Sequence, residues 1–152
     1  MTPKPLAPGI SVTGQVTPNA IAAAKEAGFR AIINNRPDRE EPGQPSSAEL
    51  EAAAKAAGLD YHHIPMVPGQ FSDAQVDAFC DALGGCGKPA LAFCKSGMRA
   101  ASLWALSQAG KLTSAEILRQ AAACGYDLRP LIPRIEARAR SEEHTSELQS
   151  LA

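Results

Sequence analysis

Short apolar runs alternate along this chain with longer segments whose apolar residues recur at helical spacing, and sharp turn signals separate them. Ile10-Ser-Val-Thr13 reads as a short strand ending at Gly14. Thr17 reads as an N-cap with Pro18 at the first helical position, opening a helix through Ala20 to Ala27 that stops at Gly28. Phe29 to Asn34 is the next strand, Leu59 to Ile64 a third and Pro89 to Phe93 a fourth. Ser46 with Glu49, Ser72 with Gln75 and Thr113 with Glu116 each place a hydroxyl three residues ahead of a Glu or Gln. That is the capping pattern for helices ending at Gly58, near Gly84-Gly85 and at Gly125. The apolar run from Ala100 reads as a helix ending near Gly110, and Asp127 to Arg138 as a final, proline-started helix. The alternation predicts an α/β fold with a small, mostly parallel sheet flanked by helices.

Such a topology places chemistry before any motif is considered. Ligands of an open α/β sheet gather at the carboxyl ends of parallel strands, so the loops after Asn34, Ile64 and Phe93 should share one rim. The first of them, Asn35 to Pro45, is rich in Pro, Gly and charge and long enough to suggest function. It brings Asp38, Glu40 and Glu41 to the rim, with Asp73 just beyond the second loop, whereas Asp60 begins a strand and belongs at the opposite end.

The third loop, Cys94-Lys-Ser-Gly-Met-Arg99, lies between a buried strand and an alanine- and leucine-rich helix. It therefore occupies a helix N-terminus, where free N–H groups and the macrodipole favour an oxyanion or a cysteine thiolate. Helix N-termini and neighbouring cations also favour ionisation of a thiol, and Lys95 and Arg99 are such cations. Gly97 lets the backbone turn its N–H groups inward. Arg99 offers a planar fork for two oxygens. Cys94 is the candidate nucleophile and Arg99 the clamp, with Lys95, Ser96, Gly97 and Met98 as the substrate-binding loop.

Composition narrows the setting. With 152 residues and 45% hydrophobic content the chain suits one globular domain, and a net charge of −1 gives no general attraction to nucleic acid or to an anionic membrane. The N-terminus lacks the apolar core of a signal peptide and no run is long enough to span a bilayer, so a cytoplasmic location is the default expectation. There, Cys80, Cys86, Cys94 and Cys124 are expected as thiols, and none of their spacings forms a zinc pattern. No cofactor or metal is expected. His62 and His63 alternate faces of a strand and read as structural, and Leu103 and Trp104 as packing for the signature helix.

At Cys94 to Arg99, Ile32-Ile-Asn-Asn-Arg-Pro-Asp38, Glu41 to Pro45 and Tyr61-His-His-Ile-Pro65 the chain resembles the phosphatase-like domain of the beta-lactamase hydrolase-like proteins, a branch of the dual-specificity type of protein tyrosine phosphatase fold. The resemblance covers roughly Ile10 to Arg138. It implies a cysteine-dependent phosphatase acting on phosphate monoesters of a small molecule or phosphoprotein through a phosphocysteine intermediate. It also implies a carboxylic acid in the loop after Asn34, for which Asp38 is the first choice, while Ser96 or Ser102 would assist the departing thiolate. The loop has four residues between Cys and Arg where ordinary tyrosine phosphatases have five, with Phe93 before and Ala100 after. That shorter length is similar to the sulfurtransferase loop of rhodaneses. A Cys94 persulfide chemistry and a phosphate-binding module with little catalysis are therefore the alternatives. The last residues, from Arg140 on, look like a translated sequencing adaptor; residues 1–139 are expected to form the domain and 140–152, His144 included, to carry no function.

Overall fold

The computed structural model describes the backbone of residues 1–151 and the side chains of residues 1–141. A five-stranded sheet runs in the order β1-β2-β5-β3-β4, with β1 Lys4–Ala7, β2 Ile10–Thr13, β3 Ala31–Asn34, β4 Asp60–His63 and β5 Ala90–Phe93. Strands β2, β5, β3 and β4 are parallel and β1 lies antiparallel on β2. The first strand was not legible in the sequence. Lys4-Pro-Leu-Ala7 contains a proline, which a sheet tolerates at an edge, and its pairing with β2 is the only thing that makes it a strand.

Helices α1 (Pro18–Glu26), α2 (Ser47–Ala56), α3 (Asp73–Gly85), α4 (Met98–Ser107), α5 (Ser114–Ala123) and α6 (Ile132–Leu151) cover the two faces. The hydroxyls of Thr17, Ser46, Ser72 and Thr113 each accept the N–H three residues on, as their spacing predicts. The reciprocal half of the box, a side chain returning to the N-cap N–H, forms at Ser72 and Gln75. Alternation along the central strands divides the core. Ile32, Leu91 and Phe93 pack with Ile21, Leu50 and Leu59 towards α1 and α2, while Ile33 and Ala92 pack with Phe79, Leu103 and Trp104 towards α3 and α4. Both central strands are buried along their whole length, as parallel strands covered on two faces must be.

No helix among the described residues is long and apolar enough to cross a membrane. The four cysteines are free thiols. The backbone of α6 continues through Leu151, past the boundary expected at residue 139. The side chains of residues 142–152, and with them the expectation about His144, lie outside the described residues.

Candidate active site

The carboxyl-end rim assembles by backbone hydrogen bonds before any side chain is considered. Asn35 N–H donates to Phe93 O at 2.8 Å, Met66 N–H to Asn35 O at 3.0 Å and Gln15 N–H to Lys95 O at 3.2 Å. The loops after β2, β3, β4 and β5 are therefore stitched together around the Cys94 loop. Asp60 sits at the other end of the sheet, accepting the Gly87 N–H.

Within the loop, Gly97 adopts φ +94° and is the N-cap of α4. In that left-handed turn its N–H donates to Cys94 Sγ at 3.1 Å. A side chain on Gly97 would overlap the Tyr126 hydroxyl, which itself donates to Ser96 O at 3.2 Å. Tyr126 thus holds the loop from outside, against a residue that must be glycine for two independent reasons. Gly14 is similarly confined, since a Cβ there would press on Lys95 O. Cys94 is fully buried.

Arg99 is 8% exposed and its guanidinium is held from one edge. Nη1 donates to Glu40 Oε2 at 2.8 Å and to Met66 O at 2.7 Å, and Nη2 donates to Glu40 Oε1 at 2.9 Å. Five donors are available on a guanidinium. Three of them go to Glu40 and Met66; the edge that remains, Nε–H with the second hydrogen of Nη2, has the side-on geometry that suits two oxygens of one oxyanion, and the guanidinium also interacts with the Cys94 side chain. Burial works against the charge of Arg99, but the Glu40 hydrogen bonds and the neighbouring Cys94 outweigh it and raise its pKa.

The loop after β3 supplies a second guanidinium. Arg36, 2% exposed, donates from Nε to Glu40 Oε1 at 2.7 Å and from Nη1 to Gln15 Oε1 at 2.9 Å. Its Nη2 has an ion contact with Glu41 Oε2 at 3.4 Å and makes no hydrogen bond. Glu41 also pairs with Lys95. Three cations and two carboxylates interlock as Arg99, Glu40, Arg36, Glu41 and Lys95. The sequence signal for Arg36 was its place two residues beyond a buried strand, at the carboxyl end. Its partners are set by folding and were not available to local reading.

The acid shortlist looks different once placed. Asp38 is exposed, and its Oδ1 accepts the Ser47 N–H at 2.8 Å in the first turn of α2. Arg39 follows at φ +61°, a strained turn for a residue with a Cβ, and it separates Asp38, directed to α2, from Glu40, directed to Arg99. Hydrogen bonding from Arg99 holds the Glu40 carboxyl below the usual range against the opposing effect of burial. Lys95 does the same for Glu41. Asp73 faces Arg138 at 3.6 Å from the start of α3. Of the residues expected to assist the thiolate, Ser102 donates to Met98 O at 2.8 Å and Ser96 Oγ accepts the Met98 N–H at 3.4 Å. Lys95 and Met98 are exposed at the rim. His63 Nε2 lies 2.9 Å from Arg36 O, a structural contact at the base of the same loop.

Known proteins share this arrangement of elements. A Xylella fastidiosa (strain 9a5c) beta-lactamase hydrolase-like protein is 35% identical over 132 residues, covering 86% of this chain and 31% of its own length. The Agrobacterium fabrum relative of the same name is 36% identical over 121 residues, covering 78% and 28%. The chain thus spans less than a third of these relatives. Among solved structures, a Neisseria meningitidis protein described as a phosphatase superposes with TM-score 0.79 at 30% identity, covering 89% of this chain and 96% of that one. Tk-PTP and PTPMT1 share the fold, with TM-scores of 0.71 and 0.73 at 15% and 12% identity. The fold is that of the tyrosine phosphatase-like enzymes. Residues 4–111 match the family described as beta-lactamase hydrolase-like protein, phosphatase-like domain, and the chain belongs to that family.

Proposed function

We propose that the chain is a cysteine-dependent phosphatase that hydrolyses phosphate esters through a phosphocysteine on Cys94. The observation that carries this reading is Cys94 Sγ under the Gly97 N–H beside an Arg99 that is anchored by Glu40 and interacts directly with the Cys94 side chain. Cys94 Sγ attacks phosphorus, the S–P bond forms and the bond to the leaving oxygen breaks. The loop N–H groups and Arg99 bind the equatorial oxygens, and positioning with charge stabilisation supplies most of the rate. Water then attacks phosphorus, the S–P bond breaks, the thiolate returns and inorganic phosphate leaves.

Glu40 has a positioning role in this scheme. It holds the far edge of Arg99 and, being an ion-paired anion, is not a proton donor in this arrangement. The test is a parallel assay of aryl phosphate hydrolysis and thiosulfate-to-cyanide sulfur transfer by the wild type and Cys94→Ser. Hydrolysis abolished by the substitution, with sulfur transfer at background, is the expected result. Robust sulfur transfer without ester hydrolysis would make the chain a rhodanese-like sulfurtransferase instead.

A further inference from the structure

We propose that the Cys94 site accepts substrates with two adjoining phosphoryl groups, as in a terminal diphosphate, the reacting one on Cys94 and Arg99 and the other on Arg36 and Lys95. The inference rests on the phosphatase reading and names its substrate class.

The second subsite is defined by Arg36. Its guanidinium is almost wholly buried, yet Nη2 makes no hydrogen bond and has only the 3.4 Å ion contact with Glu41. A buried guanidinium donor without a hydrogen bond is costly, and donors of this kind are commonly completed by a ligand. The Glu41 side chain is 46% exposed and bridges Arg36 and Lys95, the latter 61% exposed. Its carboxylate is the more exposed of the two in the cluster, and so the one an external anion would displace. The Glu40 side chain lies deeper, 22% exposed, with three hydrogen bonds from two arginines. Arg36 Nε and Arg99 Nη2 donate to the same Glu40 oxygen at 2.7 and 2.9 Å, so the two guanidinium groups stand side by side. Removing Glu41 from the cluster leaves three cations facing one internal carboxylate, a charge balance suited to a polyanion rather than to one phosphoryl group.

The leaving-group chemistry points the same way. The carboxylates on the rim have protein partners: Asp38 has the Ser47 N–H at the start of α2, Glu40 has Arg99 and Glu41 has Lys95. An alkoxide leaving group needs a proton, whereas a phosphate leaving group departs as a stable anion. In the proposed step the S–P bond to the terminal phosphorus forms and the bridging P–O bond breaks. Its electron pair stays on the departing phosphate, where Arg36 and Lys95 neutralise the developing charge. Water completes the cycle as for any ester.

Binding to the folded Cys94→Ser protein tests this without turnover, using methylphosphonate and methylenediphosphonate in calorimetric titrations. The diphosphonate should bind about tenfold tighter or more, the worth of one added charge-assisted hydrogen bond. Adding the surface substitution Glu41→Gln should widen that advantage several-fold and leave methylphosphonate within about twofold, while Lys95→Met should shrink it. Equal affinity for the two ligands would overturn the inference and leave the phosphatase reading standing. A diphosphonate advantage unaltered by both substitutions would overturn the assignment to Arg36 and Lys95. Failure of both ligands to bind would remove the phosphatase reading and the inference together.

Discussion

The loops after β5 and β3 start alike and end differently. Each follows a fully buried four-residue strand, and each delivers an arginine that is nearly inaccessible, Arg99 at 8% and Arg36 at 2% exposure. The loop after β5 makes its functional shape from its own backbone, through the left-handed Gly97, the start of α4 and the N–H on Cys94. The loop after β3 makes no cradle of its own. It works through side chains that reach across the rim to Gln15, Lys95 and Arg99. The proposed anion site is thus divided between a segment that shapes it and a segment that fixes its charges.

The sharpest way to break the comparison is at the arginine that belongs to both halves. Arg99→Lys retains the charge but cannot bridge Glu40 and a phosphoryl group at once, and kcat/KM should fall about 10²–10³-fold, the cost of losing an oxyanion donor. The fold should survive, as judged by circular dichroism. Near wild-type turnover would show that the clamp lies elsewhere.

Glu40→Gln tests whether the loop after β3 acts through Arg99. The amide presents a donor where Arg99 Nη1 also donates. Loss of the charged bonds should cost about 1.5–3 kcal/mol of stability. If Glu40 positions the clamp, kcat should drop by at least about tenfold with KM changed less, since a misaimed fork weakens the transition state more than ground-state binding. An equal rise in KM with kcat intact would make it a ground-state contact. The same carboxyl predicts an acid limit. Its folded pKa lies below the unfolded value of about 4.3, so its stabilisation is complete above that pH and is lost as pH falls through the folded value. Wild-type melting temperature should therefore decline more steeply below about pH 4 than that of Glu40→Gln.

The smallest effect is expected at Asp38. Asp38→Ala removes a bond to the first turn of α2, and should cost about 1 kcal/mol, in the range of lost helix caps. The dependence of kcat/KM on leaving-group pKa should stay as in the wild type. A steeper dependence would identify Asp38 as the general acid.

The division between the loops also explains what could be read in the sequence. Thr17, Ser46, Ser72 and Thr113 act on N–H groups three residues away, so their spacing alone announced four helix starts. The Cys94 loop was legible for the same reason, because strand, glycine turn and helix are contiguous. Glu40 meets Arg99 across 59 positions. Neither partner has a local signal for the other, and the left-handed turn at Arg39 that aims Glu40 is carried by a residue type that does not advertise it. The strand Lys4–Ala7 was missed on similar grounds, since only β2 makes it one. Asp38, picked from its loop position, proved to be bound to α2, a partner nine residues on.

The central claim concerns what becomes bonded to Cys94. Wild-type protein mixed with an activated aryl phosphate, quenched in the first turnover and mapped by peptide mass spectrometry, should carry a phosphoryl group on Cys94 that decays as inorganic phosphate appears, and Cys94→Ser should show no such turnover-linked decay. Hydrolysis proceeding with Cys94 unmodified throughout, or a sulfur adduct on Cys94 after thiosulfate with no phosphoryl adduct from any ester, would contradict the account.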